Sequence, residues 1–145
     1  MLNRTKFVAL ALFAAGLLLL AGTAQAQEKA AKVLAKGEIH NADKTGSGTA
    51  TIYELADGKR VLRLTDFAVD NGPDLHVRLF AADDAKNTTS VAKTPHIELG
   101  KLKGNKGDQN YDVPEDVDLG KYKVVSIWCN RFSVNFAAAP LTAGK

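Results

Sequence analysis

In Arg60-Val61-Leu62-Arg63-Leu64, Leu62 and Leu64 share one face of an extended chain and Arg63 stands on the other. The same two-residue period returns in short runs from Val33 onward, each closed by Gly, Asn, Asp or Pro. That period matches the pleat of a strand, in which successive side chains point to opposite faces, and not the 3.6-residue repeat of a helix. No convincing amphipathic helix follows the N-terminal segment, so the apolar faces have to be buried by strands laid against strands. The runs predict eight short strands, over 33–40, 48–55, 60–67, 74–81, 96–99, 110–113, 122–129 and 132–138. The breakers between them carry their own mechanisms. Ala56-Asp57-Gly58-Lys59 suits a hairpin in which Gly58 takes positive φ, and Asn71-Gly72-Pro73-Asp74 suits a turn into the next strand. Residues 83–93 carry no strand pattern and read as a surface loop with a helical turn over 83–86. The expected fold is all-β, an antiparallel β-sandwich or barrel of about eight short strands, preceded by a signal-peptide helix.

The N-terminus begins Met-Leu-Asn-Arg-Thr-Lys, runs apolar from Phe7 to Ala21 and closes on Ala24-Gln25-Ala26. A positive start, an apolar middle and a small-residue cleavage site form the pattern of a secretory signal peptide. The apolar run is shorter than the roughly 18–20 residues that a spanning helix needs. The expectation is therefore cleavage after Ala26, no stable membrane anchor afterwards, and a periplasmic or secreted product. No cysteine stands at the cleavage point to take a lipid. Losing Arg4 and Lys6 lowers the formal charge from +3 to +1. That leaves no basic stripe for nucleic acid, which is rejected as a partner. The expected divisions are a signal peptide over 1–26, a flexible lead-in over 27–35, one domain over 36–141 and a C-terminal tail over 142–145. Cysteine occurs once, at Cys129. A single cysteine cannot close an internal disulfide, so the apolar core has to hold the domain together.

The most specific string is Val124-Val125-Ser126-Ile127-Trp128-Cys129-Asn130-Arg131-Phe132-Ser133-Val134-Asn135-Phe136. Alternation puts Val125, Ile127 and Cys129 on one face, Trp128 on the other, and Phe132, Val134 and Phe136 together on the next strand. Two roles for Cys129 follow. Free cysteine often serves as a small buried hydrophobe. A lone thiol in an oxidising compartment also invites a redox role, with Arg131 the nearest cation able to favour a thiolate. Soft-metal chemistry would draw on His40, His76 and His96. A blue-copper site finds no support, since no histidine follows Cys129 and no axial methionine remains after cleavage. Haem could take His76 or Cys129 as an axial ligand, but the Cys-x-x-Cys-His attachment motif is absent. In Asp74-Leu75-His76-Val77-Arg78-Leu79 the polar residues share one face and the apolar residues the other, which also fits a solvated surface with local charge pairing. There is no Gly-x-Ser-x-Gly elbow, Ser126 has no identified base, and nothing marks a stand-alone enzyme. Asn87-Thr88-Thr89 matches the glycosylation acceptor pattern, but behind a bacterial-type leader it is assigned no function.

The strings Leu64-Thr65-Asp66-Phe67, Gly72-Pro73-Asp74-Leu75-His76-Val77, Leu99-Gly100-Lys101-Leu102-Lys103-Gly104, Gly107-Asp108-Gln109-Asn110-Tyr111, Val113-Pro114 and Ser126-Ile127-Trp128-Cys129 occur in that order. Together they resemble the DM13 domain, the "electron transfer DM13" family, over residues 36–141. The resemblance implies an extracytoplasmic β-sandwich that in larger relatives accompanies redox or sugar-binding modules. It further implies a redox role for the cysteine, here Cys129, as a free thiol or through a bound prosthetic group such as haem; the candidate residues of this chain to bind such a group are Cys129, His76 and Trp128. Because this chain carries one such domain and nothing else recognisable, its redox or binding partner is expected to be a separate, unidentified protein or small molecule. The alternative function is a non-catalytic extracytoplasmic binding module that presents loops such as 83–93 to a partner or glycan.

Overall fold

The computed structural model describes residues 31–145, and the expected signal peptide and its helix lie outside them. Ten strands follow in order: β1 Lys32–Glu38, β2 His40–Asn41, β3 Gly46–Glu54, β4 Arg60–Val69, β5 Leu75–Phe80, β6 His96–Lys101, β7 Gln109–Val113, β8 Val124–Cys129, β9 Val134–Pro140 and β10 Thr142–Ala143. They form two five-stranded sheets, ordered β10-β1-β3-β4-β7 and β2-β9-β8-β5-β6, with every pairing antiparallel. The fold is the all-β sandwich that the alternation predicts. The eight longer strands overlap the eight expected ones with ends shifted by up to two residues, and the two-residue β2 and β10 are additions at the sheet edges.

Alternation decides which side chains enter the core. In the first sheet Ala50, Ile52, Leu62, Leu64, Tyr111 and Val113 point inward, and in the second Leu75, Val77, Leu79, Val125, Ile127, Cys129, Phe136 and Ala139 meet them. Contact between the sheets is close at Gly46, where an added Cβ would lie 2.4 Å from the Ala137 Cβ. The β3–β4 hairpin turns through Gly58 at φ 87°, the left-handed conformation expected of it. A β-bulge between Ser47 and Thr49 carries Gly48 at φ 118° and offsets the β3–β4 register by one residue.

Several local expectations need correction. Strand β8 begins at Val124, not at residue 122, and β9 runs from Val134 to Pro140. Phe132 is therefore not a β9 core residue. It stands exposed in the 130–133 turn, where Ser133 takes φ 51° to reverse the chain, while Phe136 is buried in the core as expected and Asn135 is buried as well. A bulge between Ile127 and Trp128 pairs Trp128 with Asn135 and shifts the alternation of β9 by one residue. The lead-in expected over 27–35 becomes strand at Lys32, with Ala35 buried opposite Ile52. In the expected tail, Thr142 and Ala143 pair with Lys36 and Ala35. Residues 83–86 form bends without a helical turn.

Val77 is fully buried at the centre of β5, between Ile127 of β8 and Gly100 of β6. Val77→Asp places a carboxylate there with no cation to pair it, so the variant is expected to lose about 3 kcal/mol or more of stability in urea denaturation. A midpoint equal to the parent's would show that this face does not point into the core.

Candidate functional site

Strands β5 and β8 pair so that His76 lies opposite Trp128, Arg78 opposite Ser126 and Phe80 opposite Val124. These residues belong to the outer face of the second sheet, away from the inter-sheet core. Strand β6 adds Glu98 opposite Arg78 and His96 opposite Phe80. A continuous polar network results. The Nε2 of His76 lies 2.8 Å from the Asp74 Oδ1, and its Nδ1 meets the Glu98 carboxylate. Arg78 donates from Nε to Glu98 at 3.2 Å and from its terminal nitrogen to the Asn130 Oδ1 at 2.7 Å. Its guanidinium carbon lies 5.0 Å from the centre of the Trp128 ring, a cation–π contact. Phe80 stands 5.5 Å from both the Trp128 ring and the His96 ring in tilted geometry. Burial and the nearby Arg78 lower the pKa of His96, against a smaller opposing pull from Glu98.

This network is built for rigidity. Both ring nitrogens of His76 are held by carboxylates, Nε2 by Asp74 and Nδ1 by Glu98. Neither nitrogen is then free to bind a metal. The Arg78 charge over the indole also opposes a second positive charge on Trp128, which makes loss of an electron from that ring harder.

Cys129 lies on the opposite side of the sheet. It is fully buried, it faces the inter-sheet core with Leu75, Ile127 and Phe136, and its register partners are Leu75 and Val134. Arg131 is exposed in the 130–133 turn and forms no ion pair with another described residue. The structure thus brings His76 and Trp128 together and separates both from Cys129 by the thickness of one sheet. His40 and His96 are also outer-face residues, in register with Ala138 and Phe80. No histidine shares a face with Cys129, so these residues fit neither a Cys–His haem ligand pair nor a copper site. Among the described residues, no group of three or more His, Cys, Asp or Glu is arranged to hold a metal ion.

The same-face grouping of Asp74, His76 and Arg78 follows directly from alternation. The contributions of Glu98 and Asn130 come from β6 and from the turn after β8, 20 and 52 residues from Arg78. No local pattern announces them. Residues 83–93 also differ from a free presenting loop, because Ala85 and Val91 are fully buried against the outer face.

Two antiparallel sheets packed over an apolar core, with one thiol and no disulfide, define a β-sandwich domain held by packing alone. Residues 38–141, more than two thirds of the chain, match the family model described as "Electron transfer DM13". The chain belongs to the DM13 family, whose description assigns it a redox, electron-transfer role at that coarse level. No curated protein and no solved structure matches the chain.

The burial of Cys129 makes a prediction about packing. Cys129→Ser places a hydroxyl in an apolar site and is expected to cost about 1–3 kcal/mol in chemical denaturation. Cys129→Val keeps an apolar side chain there and should come closer to the parent. A serine variant as stable as the parent would mean that the sulfur sits in a polar, hydrated position.

Proposed function

We propose that this DM13 domain is an exported accessory of electron transfer that contributes recognition and positioning to a separate redox partner, while Cys129 packs the core. The observation that carries this reading is the position of Cys129: a fully buried sulfur on the inner face of β8, among apolar side chains. Thiol–disulfide exchange requires a thiolate to reach a partner sulfur in line, and a side chain with no exposed surface offers no approach. The outer face of β5, β6 and β8 suits recognition better. There Asp74 and Glu98 remain partly exposed while His76 and Arg78 hold them in place. Export rests on the leader pattern at residues 1–26.

A second reading keeps a single-cysteine redox mechanism. Cys129 is the last residue of β8, and the neighbouring turn carries an exposed Phe132. Opening of that strand end would bring the sulfur to solvent.

Thiol labelling separates the two. With DTNB under native conditions, Cys129 is expected to react roughly five-thousandfold more slowly than in denaturant, the protection given by a fold stable by about 5 kcal/mol. Prompt labelling of the folded protein would overturn the packing role and support the cysteine mechanism. An absorption spectrum of protein from its native compartment is the companion measurement. A visible band would reveal a bound chromophore and refute a domain that carries no redox centre of its own.

A further inference from the structure

The segment between β5 and β6, residues 81–95, contains no regular structure. It leaves and rejoins the sheet at one point, where the Ala81 N–H donates to the Pro95 carbonyl at 2.9 Å. A surface loop of this length with its ends joined is an Ω-loop, a unit able to move without its scaffold. Only two of its side chains, Ala85 and Val91, are fully buried, and both are small. They lie against Phe80, Val124, Trp128 and Ala138, an apolar cluster on the outer face that is separate from the inter-sheet core.

Ala82, partly buried, packs against the same cluster, and the other attachments are polar and few. Asp43, in the turn after β2, accepts the Thr88 N–H at 2.9 Å and also the Thr88 hydroxyl. The Thr88 Oγ1 in turn accepts the backbone N–H of Asn135 in β9 at 2.8 Å. The Asn135 Nδ2 donates to the Ala85 carbonyl at 3.0 Å, and its Oδ1 accepts the Ser126 hydroxyl at 2.7 Å. On the β2 side, His40 Nε2 meets the Asp84 Oδ1 at 2.7 Å and Nδ1 meets the Asn41 carbonyl, also at 2.7 Å. An exposed Lys123–Asp83 pair completes the set.

We infer that residues 81–95 form a hinged strap, latched by His40–Asp84 and Asp43–Thr88, whose opening at the Ala81–Pro95 neck bares the Phe80–Trp128 face without unfolding the sandwich. The floor beneath it explains why a latch is needed. Ser126 and Asn135 are fully buried polar residues, and Asn135 finds partners for its side-chain and backbone donors in the strap itself, at the Ala85 carbonyl and the Thr88 hydroxyl. Closing the strap both covers the aromatic face and satisfies those donors. Opening it hands them, together with the Trp128 ring, to solvent or to a partner.

The latch responds to pH in a definite direction. Burial by itself lowers the pKa of His40, but the Asn41 carbonyl and the Asp84 carboxylate outweigh it and leave the pKa raised, against a small opposing effect of Lys86. The β9 residues paired with β2, Ala137 and Ala138, carry no charge. A raised folded-state pKa means that the His40 contribution is complete below the unfolded value and is lost as pH rises through the folded one. The Asp43 pKa is lowered by its hydrogen bonds from Thr88, so that contact is lost only as pH falls through the folded Asp43 value, below the ordinary carboxylate range. The strap is therefore held at mildly acidic pH and loosens as His40 deprotonates.

Hydrogen exchange on the mature protein tests this, because the Asn135 and Thr88 amides donate only to strap-dependent acceptors while those of Val77 and Ile127 lie in the central β-ladder. Raising the pH from about 6 to about 8 should lower the protection factors of Asn135 and Thr88 by roughly tenfold relative to the ladder amides. Asp84→Asn should lower them at the acidic end and flatten the pH dependence, with ladder protection unchanged. Asn135 and Thr88 amides that exchange only in step with Val77 and Ile127, at both pH values and in both proteins, would show that the strap opens solely by global unfolding, and the inference would fall.

Discussion

Strand β8 is buried on both of its faces: all six residues from Val124 to Cys129 are buried. In an antiparallel sandwich one face of a strand meets the core while the other commonly meets water, so a doubly buried central strand needs a second cover. Here the inner face of β8 packs on the opposite sheet, and the outer face packs under Phe80, Arg78 and the 81–95 segment. The rest of the molecule arranges itself around that requirement. It accounts for the long connection between β5 and β6, for the buried Ser126–Asn135 pair, and for the anchoring of Thr88 to Asp43.

The double burial also divides the chemistry. Along β8, neighbouring side chains point to opposite sides, so Trp128 and Cys129 are adjacent in the chain and separated in space by the sheet itself. The thiol belongs to the apolar core. The indole belongs to a face on which His76, Arg78, Glu98 and Asn130 satisfy one another's hydrogen-bonding groups. A redox role for the single cysteine and a recognition role for the His76–Trp128 face are consequently different hypotheses about different surfaces. Membership of an electron-transfer family does not choose between them. The enclosure of the sulfur argues against the first.

Where the sequence misled, the cause is a bulge or a partner distant in the chain. Phe132, Val134 and Phe136 have the spacing of one strand face, yet Ser133 turns the chain at positive φ, and Phe132 is left at the exposed tip. The bulge at Trp128 then puts Asn135 on the outer face, where Ser126 and Ala85 are its partners. A polar residue in a run of Val, Phe and Ala looks like a solvent position until the strap that buries it is known.

From the sequence by itself came the strand periodicity, the inward direction of Leu62, Leu64, Val77, Ile127 and Cys129, the hairpin at Gly58 and the resemblance to the DM13 family. All of these depend on local chemistry: the two-residue pleat, the φ freedom of glycine, and ordered short strings. Tertiary structure alone decided that Glu98 and Asn130 complete the Arg78 network and that residues 81–95 lie down on Trp128. It also decided that no histidine shares a face with Cys129. Those outcomes depend on which strands become neighbours across the sheet and which segment is left to cover a face, and hydrophobic alternation is indifferent to both.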